Sequence, residues 1–209
     1  MFAFLLFVLH YIKGDFFESA RRLKVNMFTM GRRYLRESAC CSLQAVREGI
    51  QETYPKFKNM NVDVAVNCED AEIDDDFRTH WGANWKHMMR LAASQGGKDV
   101  LGTVKIEITK AKKEGRASIN IVIVSENGQR RSVGMAGLLS HCLVNYHDCE
   151  VTPVVHMSDN SPSWQQLCRN CEDCDVGAAR AGPKRQSAYK IALDDYTKAR
   201  ETTPDQAYA

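Results

Sequence analysis

Three hydrophobic patterns early in the chain constrain its fold more than any other feature. Residues 23–30 alternate apolar and polar side chains, as a β-strand does. The segment 37–54 has one apolar helical face, formed by Ala39, Leu43, Val46, Ile50 and Tyr54. Pro55 ends this helix because proline has no amide hydrogen to donate. Residues 62–66 alternate again, so the three patterns predict a parallel βαβ unit and an α/β fold.

Later patterns extend this unit toward residue 147. We predict a helix over 74–94 that Gly96 and Gly97 stop, then strands over 104–108 and 119–124. Asn127-Gly128 marks a turn before a helix over 131–146. The order β-α-β-α-β-β-α predicts a thioredoxin-like core whose last two strands form an antiparallel hairpin. The strand over 119–124 is apolar on both faces, and at the edge of such a sheet it needs a cover.

The composition predicts one domain with appendages in this 209-residue chain. We divide it into an apolar and basic segment 1–22 with a short N-terminal helix, a thioredoxin-like domain 23–147, and a cysteine-rich extension 148–209 with a terminal helix. The apolar run 2–9 is too short to span a bilayer, so no stable membrane span is expected. The Arg-rich segment 19–36 is compatible with mitochondrial targeting, whereas an N-terminal segment that stays on the mature protein would form a core or docking helix. Membrane attachment through residues 1–17 is a further alternative.

A cysteine cluster in the extension is the strongest chemical signal. The segment LCRNCEDCD places Cys168, Cys171 and Cys174 at C-x2-C-x2-C spacing, which favours thiolate ligation of zinc or an iron–sulfur cluster. Either needs a fourth ligand. Cys149 is the first candidate, ahead of His147, His156, Cys142 or a residue of a partner subunit. The alternative is a set of free or oxidisable surface thiols.

Basic doublets give candidate contacts to RNA phosphates. The net charge is only +2, so the chain has no strong overall attraction for polyanions. Doublets spaced along a chain can still touch phosphates at several points. The candidates are Arg21, Arg22, Arg32, Arg33, Lys184 and Arg185. The doublets Lys112-Lys113 and Arg130-Arg131 have the same character, and a solvated surface is the alternative for all of them.

No complete catalytic motif occurs in the sequence. A thioredoxin-like oxidoreductase carries C-x-x-C where its first strand meets its first helix, but residues 30–35 contain no cysteine, and Cys40-Cys41 lacks the two-residue spacer. A zinc deaminase needs Glu two residues after its His ligand, whereas Ser158 follows His156 at that spacing. We therefore expect no enzymatic activity and no small-molecule substrate.

Several segments resemble a thioredoxin-like family of mitochondrial ribosomal proteins, which shares its domain with an accessory subunit of respiratory complex I. They are LKVNMFTMG, VREGIQETYPKFKNMNVDVAVN with Arg47, Tyr54, Pro55, Lys58 and Asn59, and the terminal GPKRQSAYKIALDDYTKAR. The small-subunit member is the nearer match because it also carries clustered cysteines in a C-terminal extension. The resemblance implies a mitochondrial location, ribosomal proteins and rRNA as partners, and a cysteine cluster that holds iron–sulfur or zinc.

The leading hypothesis from the sequence is a structural subunit of a mitochondrial assembly, namely the small subunit of the mitochondrial ribosome. Metal or an iron–sulfur cluster would fasten its C-terminal tail against neighbouring proteins and rRNA. The alternative is a thiol-redox, iron–sulfur or zinc-dependent enzyme that uses Cys168, Cys171 and Cys174.

Overall fold

A computed structural model describes residues 22–35, 42–71, 82–160, 171 and 181–199 of the chain. These residues form an α/β structure. Its strands are β1 Lys24–Gly31, β2 Val64–Asn67, β3 Ser118–Ser125, β4 Glu150–Val151 and β5 Val155–His156. Its α-helices are α1 Leu43–Thr53, α2 Trp85–Ala93, α3 Gln95–Lys113, α4 Arg131–His147 and α5 Ala181–Lys198. Short 3-10 turns follow β1 (Arg32–Tyr34), α1 (Pro55–Phe57) and β5 (Met157–Asn160).

The strands pair in the order β2-β3-β1-β4, and β5 also pairs with β1. All of these pairs are parallel. β1 and β3 run side by side from Lys24↔Ser118 to Gly31↔Ser125. Strand β3 is therefore an interior strand, and its apolar side chains are needed on both faces because helices cover both faces of a parallel sheet.

Two hydrophobic clusters lie on opposite faces of this sheet. Ile121 and Ile123 belong to the cluster that contains the buried side chains of α2, α3, α4 and α5. Val122 and Val124 belong to the other cluster, which α1 and Met157 cover. None of the helices in the described parts of the chain is long and apolar enough to cross a membrane.

The chain leaves the two central strands in opposite directions. From β1 it passes through α1 to β2, whereas from β3 it passes through α4 to β4 on the other side of β1. Helices α1 and α4 also belong to opposite hydrophobic clusters. Such a reversal opens a crevice at the carboxyl ends of the two strands, which is where open α/β sheets bind ligands.

Several predicted elements are confirmed, with shifted ends. The predicted strands 23–30, 62–66 and 119–124 correspond to β1, β2 and β3, and the helix 131–146 corresponds to α4. Within the predicted helix 37–54, the described part is α1. The predicted terminal helix is α5. The predicted N-terminal helix lies outside the described residues.

The predicted strand over 104–108 is wrong, because these residues lie inside α3. Leu101, Val104 and Ile108 are buried at helical spacing. The predicted end of the helix over 74–94 agrees with the structure, since α2 ends at Ala93 with Ser94 as its C-cap, but Gly96 and Gly97 are not what stops it. Ser94 caps the start of α3, with its Oγ accepting a hydrogen bond from the Gly97 amide at 3.1 Å, so both glycines lie in the first turn.

The loss of that strand removes the predicted antiparallel hairpin. The thioredoxin-like arrangement is therefore not confirmed, since every strand pair formed by the described residues is parallel. Strand β3 also needs no extra cover, because it lies between β1 and β2 rather than at an edge. After residue 147, β4 and β5 join the main sheet, and α5 contacts α2 and α4.

Candidate anion-binding site

Two of the four predicted metal ligands lie outside the described residues. Cys168 and Cys174 are among the undescribed positions, and Cys171 is described as half-buried. Cys149 is 3% exposed and packs in the hydrophobic cluster below α4, where burial raises the pKa of its thiol. The described positions contain no group of three or more His, Cys, Asp or Glu side chains that could hold a metal ion. Zinc or iron–sulfur binding by the cluster stays a prediction.

The other candidate ligands around α4 are engaged in packing. Burial raises the pKa of Cys142 to about 12. His141 stacks on Tyr189 with ring centroids 4.5 Å apart, and burial lowers its pKa. His147 is buried with its ring edge-on to Tyr146 at 4.8 Å.

The predicted RNA-binding residues fall in three separate places, and Arg21 lies outside the described residues. Arg22 is exposed near the amino end of β1 and forms an ion pair with Asp148 at 3.1 Å. On α5, the Lys184 ammonium lies 4.5 Å above the Trp85 ring, and Arg185 is 4% exposed and donates to the Ala83 carbonyl at 2.6 Å. Arg32 and Arg33 lie elsewhere, at the carboxyl end of β1.

Arg32 and Arg33 line a cavity of about 690 Å³ at the carboxyl edge of the sheet. Each wall follows a strand: residues 32–35 follow β1, Glu69 follows β2, and residues 126–131 follow β3. The described lining consists of Arg32, Arg33, Leu35, Glu69, Glu126, Asn127 and Arg131. The cavity thus occupies the crevice that the reversed connections create.

The loop after β3 packs tightly against the end of β1. Gly128 has φ +67°, a backbone conformation that favours glycine. A Cβ atom on Gly128 would lie 2.5 Å from the Gly31 nitrogen and 2.6 Å from the Ser158 Oγ. The Arg33 amide also donates to the Glu126 carbonyl at 3.4 Å. Only glycine allows this close approach, which holds the loop beside the arginines of β1.

Helix α4 begins at the cavity with Arg131. Its N-cap residue, Arg130, makes no side-chain capping hydrogen bond. Ser125, the last residue of β3, takes over part of that role: its Oγ lies 3.0 Å from the Ser132 Oγ and accepts from the Ser132 amide at 3.4 Å. The positive end of the helix dipole therefore points toward the cavity, where an anion is stabilised.

The charged side chains that line the cavity differ in their hydrogen-bond partners. Arg32 and Glu69 form an ion pair at 2.6 Å, with side chains 50% and 18% exposed. The Arg131 Nε atom is buried and has no hydrogen-bond partner among the described residues. A buried charged donor without a partner costs free energy, so an added acceptor next to Arg131 would be favourable.

A buried histidine supports the first turn of α4 from behind. His87 on α2 is 2% exposed, and its Cδ2 lies 3.4 Å from where a Cβ on Gly134 would be. Desolvation by burial, with a smaller contribution from the charges of Arg130 and Arg131, lowers the pKa of His87 to about 4. The imidazole is therefore neutral at pH 7, so it adds no charge to this end of the helix.

The sequence predicts Arg32 and Arg33 as phosphate contacts and gives the doublet Arg130-Arg131 the same character, but it does not bring the two doublets together. The signal that could have done so is the run SENGQRRS, which follows an apolar strand and precedes a helix. A glycine-containing loop between a strand and a helix is a common setting for phosphate binding. From the sequence, Asn127-Gly128 is interpreted only as a turn.

No family model, no curated protein and no solved structure matches this chain.

Proposed function

We propose that the cavity at the carboxyl edge binds the phosphate group of an anionic ligand, and that the chain acts as a binding module. The observation that carries this proposal is the meeting of Arg32, Arg33 and Arg131 with the N-terminus of α4 in one cavity. Arginine side chains bind phosphate oxygens with paired N–H groups, and a helix N-terminus adds a positive partial charge.

The size and shape of the cavity support a ligand larger than the phosphate alone. Its volume of about 690 Å³ falls in the range of pockets for small organic molecules. Arg32 pairs with Glu69, and the other charged side chains of the described lining are Arg33, Arg131 and Glu126. A phosphate oxygen would give the buried Arg131 Nε atom a hydrogen-bond acceptor.

Apart from its arginines, the described cavity lining contributes two charged side chains, the carboxylates of Glu69 and Glu126. That described lining contains no Cys, Ser, His or Lys side chain. Ser125 is 3% exposed, and its Oγ is held by Ser132. The proposal is therefore one of binding, and the absence of enzymatic activity stays a prediction.

Calorimetric titration with inorganic phosphate, a hexose phosphate and a 5′-phosphorylated RNA oligonucleotide tests the proposal. Arg131→Gln and Arg33→Gln should each weaken binding roughly tenfold or more, because a hydrogen bond to a charged group contributes about 1.5–3 kcal/mol. Lys113→Gln is the matched control, since it removes the same charge from an exposed position at the end of α3. Binding that is equal in all variants, or absent for all three ligands, refutes the proposal.

The RNA oligonucleotide also distinguishes the source of the phosphate. Binding of RNA without binding of the small phosphates would favour the ribonucleoprotein hypothesis, in which Arg32 and Arg33 contact an RNA backbone. A structural role in the mitochondrial ribosome stays a prediction, and a native pull-down from mitochondria that recovers neither ribosomal proteins nor rRNA would contradict it. The thiol-enzyme alternative predicts turnover of a disulfide substrate that Cys171→Ser abolishes.

A further inference from the structure

A second cavity, of about 590 Å³, lies on the α1 side of the sheet, and the phosphate site does not use it. Its walls are two short segments, 53–57 after α1 and 154–157 along β5. We propose that this cavity binds a small aromatic molecule that carries an acidic group. The proposal is independent of phosphate binding at the carboxyl edge.

Both walls are held in place by the rest of the fold. The Phe57 ring packs edge-to-face on Phe28 of β1, with ring centroids 5.8 Å apart. On the opposite wall, β5 pairs with β1, and the His156 Nδ1 lies 2.9 Å from the Oγ1 of the fully buried Thr29. A cavity whose walls are already fixed loses little conformational entropy when a ligand enters.

The chemistry of the walls selects the class of ligand. One wall includes Phe57, and the other includes Val155 and Met157, whereas the Val154 side chain packs against the cluster on the opposite face of the sheet. Aromatic rings, aliphatic carbons and thioether sulfur all pack well against the face of a π system. Val155 is 38% exposed, so a ligand in the cavity would cover apolar surface that is open to solvent.

The charge of the cavity indicates that the ligand carries an acidic group. Lys56 belongs to the described lining, and that lining contains no carboxylate. An aromatic acid would place its ring between the apolar walls and its negative charge beside the ammonium group. Charge complementarity of this kind selects anions over neutral analogues.

A peptide strand added to this edge of the sheet fits less well. β4 and β5 have two residues each, and the exposed Pro153 lies between them. Short edge strands and proline both discourage the pairing of an additional strand, because proline offers no amide donor. A small molecule is therefore the better occupant.

Chemical-shift titration of the ¹⁵N-labelled chain with 2-naphthoate tests the proposal, with 2-naphthalenemethanol as the neutral analogue. We expect saturable shifts at 53–57 and 154–157, and weaker binding of the neutral analogue. Val155→Asp should weaken 2-naphthoate binding roughly tenfold or more by placing a carboxylate in the apolar wall. Lys56→Gln should reduce the affinity for 2-naphthoate to that of the alcohol.

Two variants provide matched controls. Val144→Asp changes an apolar side chain that is 49% exposed on α4, and Lys58→Gln removes an exposed lysine that does not line the cavity. Both should bind 2-naphthoate as the unaltered chain does. Absence of saturable shifts at millimolar 2-naphthoate, or equal losses in the test and control variants, overturns the proposal. Spectra with dispersed amide signals would establish that each variant is folded.

Discussion

Acidification should destabilise this protein through His87. Its pKa is about 4 in the folded state, against an ordinary value of 6.5 for histidine. Above pH 6.5 the imidazole is neutral in both states and contributes no pH dependence. As the pH falls from 6.5 to 4, the unfolded chain binds the proton first, so the free energy of unfolding decreases.

The size of the decrease in the free energy of unfolding follows from the difference between the folded-state and unfolded-state pKa values of His87. At 1.36 kcal/mol per pKa unit, the full loss below pH 4 is about 3 kcal/mol, of which about 2 kcal/mol is lost by pH 5. Urea denaturation of the unaltered chain and of His87→Leu at pH 8 and pH 5 measures this contribution. The variant should lose about 2 kcal/mol less between the two pH values. The histidine that stacks on Tyr189 is the control, since His141→Gln should reduce the pH dependence by much less.

Equal pH dependence in the unaltered chain and in His87→Leu would refute this reasoning. It would mean that water or a carboxylate reaches the imidazole and that burial does not disfavour its protonated form. The baseline stability of the variant does not enter the test, because only the difference between the two pH values is compared.

Three further predictions concern the loop, the helix start and the cysteine cluster. Gly128→Ala should destabilise the fold by about 2 kcal/mol or more in urea denaturation and abolish phosphate binding, because its Cβ would meet the backbone of β1. Gly115→Ala, at the same φ of +67° but with no atom near its Cβ, should cost only about 1 kcal/mol, and equal costs would contradict the argument. Ser132→Ala should lower stability by about 1 kcal/mol, since it removes a buried hydroxyl pair, and an unchanged urea midpoint would count against that pair. Metal analysis of anaerobically purified protein should find stoichiometric zinc or iron with sulfide that Cys171→Ser removes, whereas metal-free protein would exclude the predicted cluster.

Strong hydrophobic patterns predicted the α/β class and several of its elements correctly, but not the topology of the sheet. The strand over 119–124 was identified as a short apolar run, and the helix after it by apolar residues at helical spacing. The prediction of a strand over 104–108 was wrong because apolar and charged side chains also alternate in this segment, Val-Lys-Ile-Glu-Ile. In the structure, Val104 and Ile108 are buried four residues apart and the aliphatic stem of Lys105 is buried with them, so the helical period prevails.

Only part of the candidate site could be predicted from the sequence, because the site depends on the order of the strands in the sheet. Arg32 and Arg131 are far apart in sequence and meet only because β1 and β3 are neighbours in the sheet. The sequence prediction assigned β3 to an edge of the sheet, so it did not place the loop after β3 beside the end of β1. The close contact at Gly128 likewise becomes visible only when Gly31 is known to lie next to it.

Backbone amide shifts on addition of inorganic phosphate test the central claim most directly. We expect saturable shifts at residues 126–132 and at Arg32 and Arg33, with none at 154–157. Arg131→Gln should suppress these shifts, whereas Lys113→Gln should preserve them. Shifts scattered over the surface, or centred away from the carboxyl ends of β1 and β3, would contradict the claim that this cavity is a phosphate site.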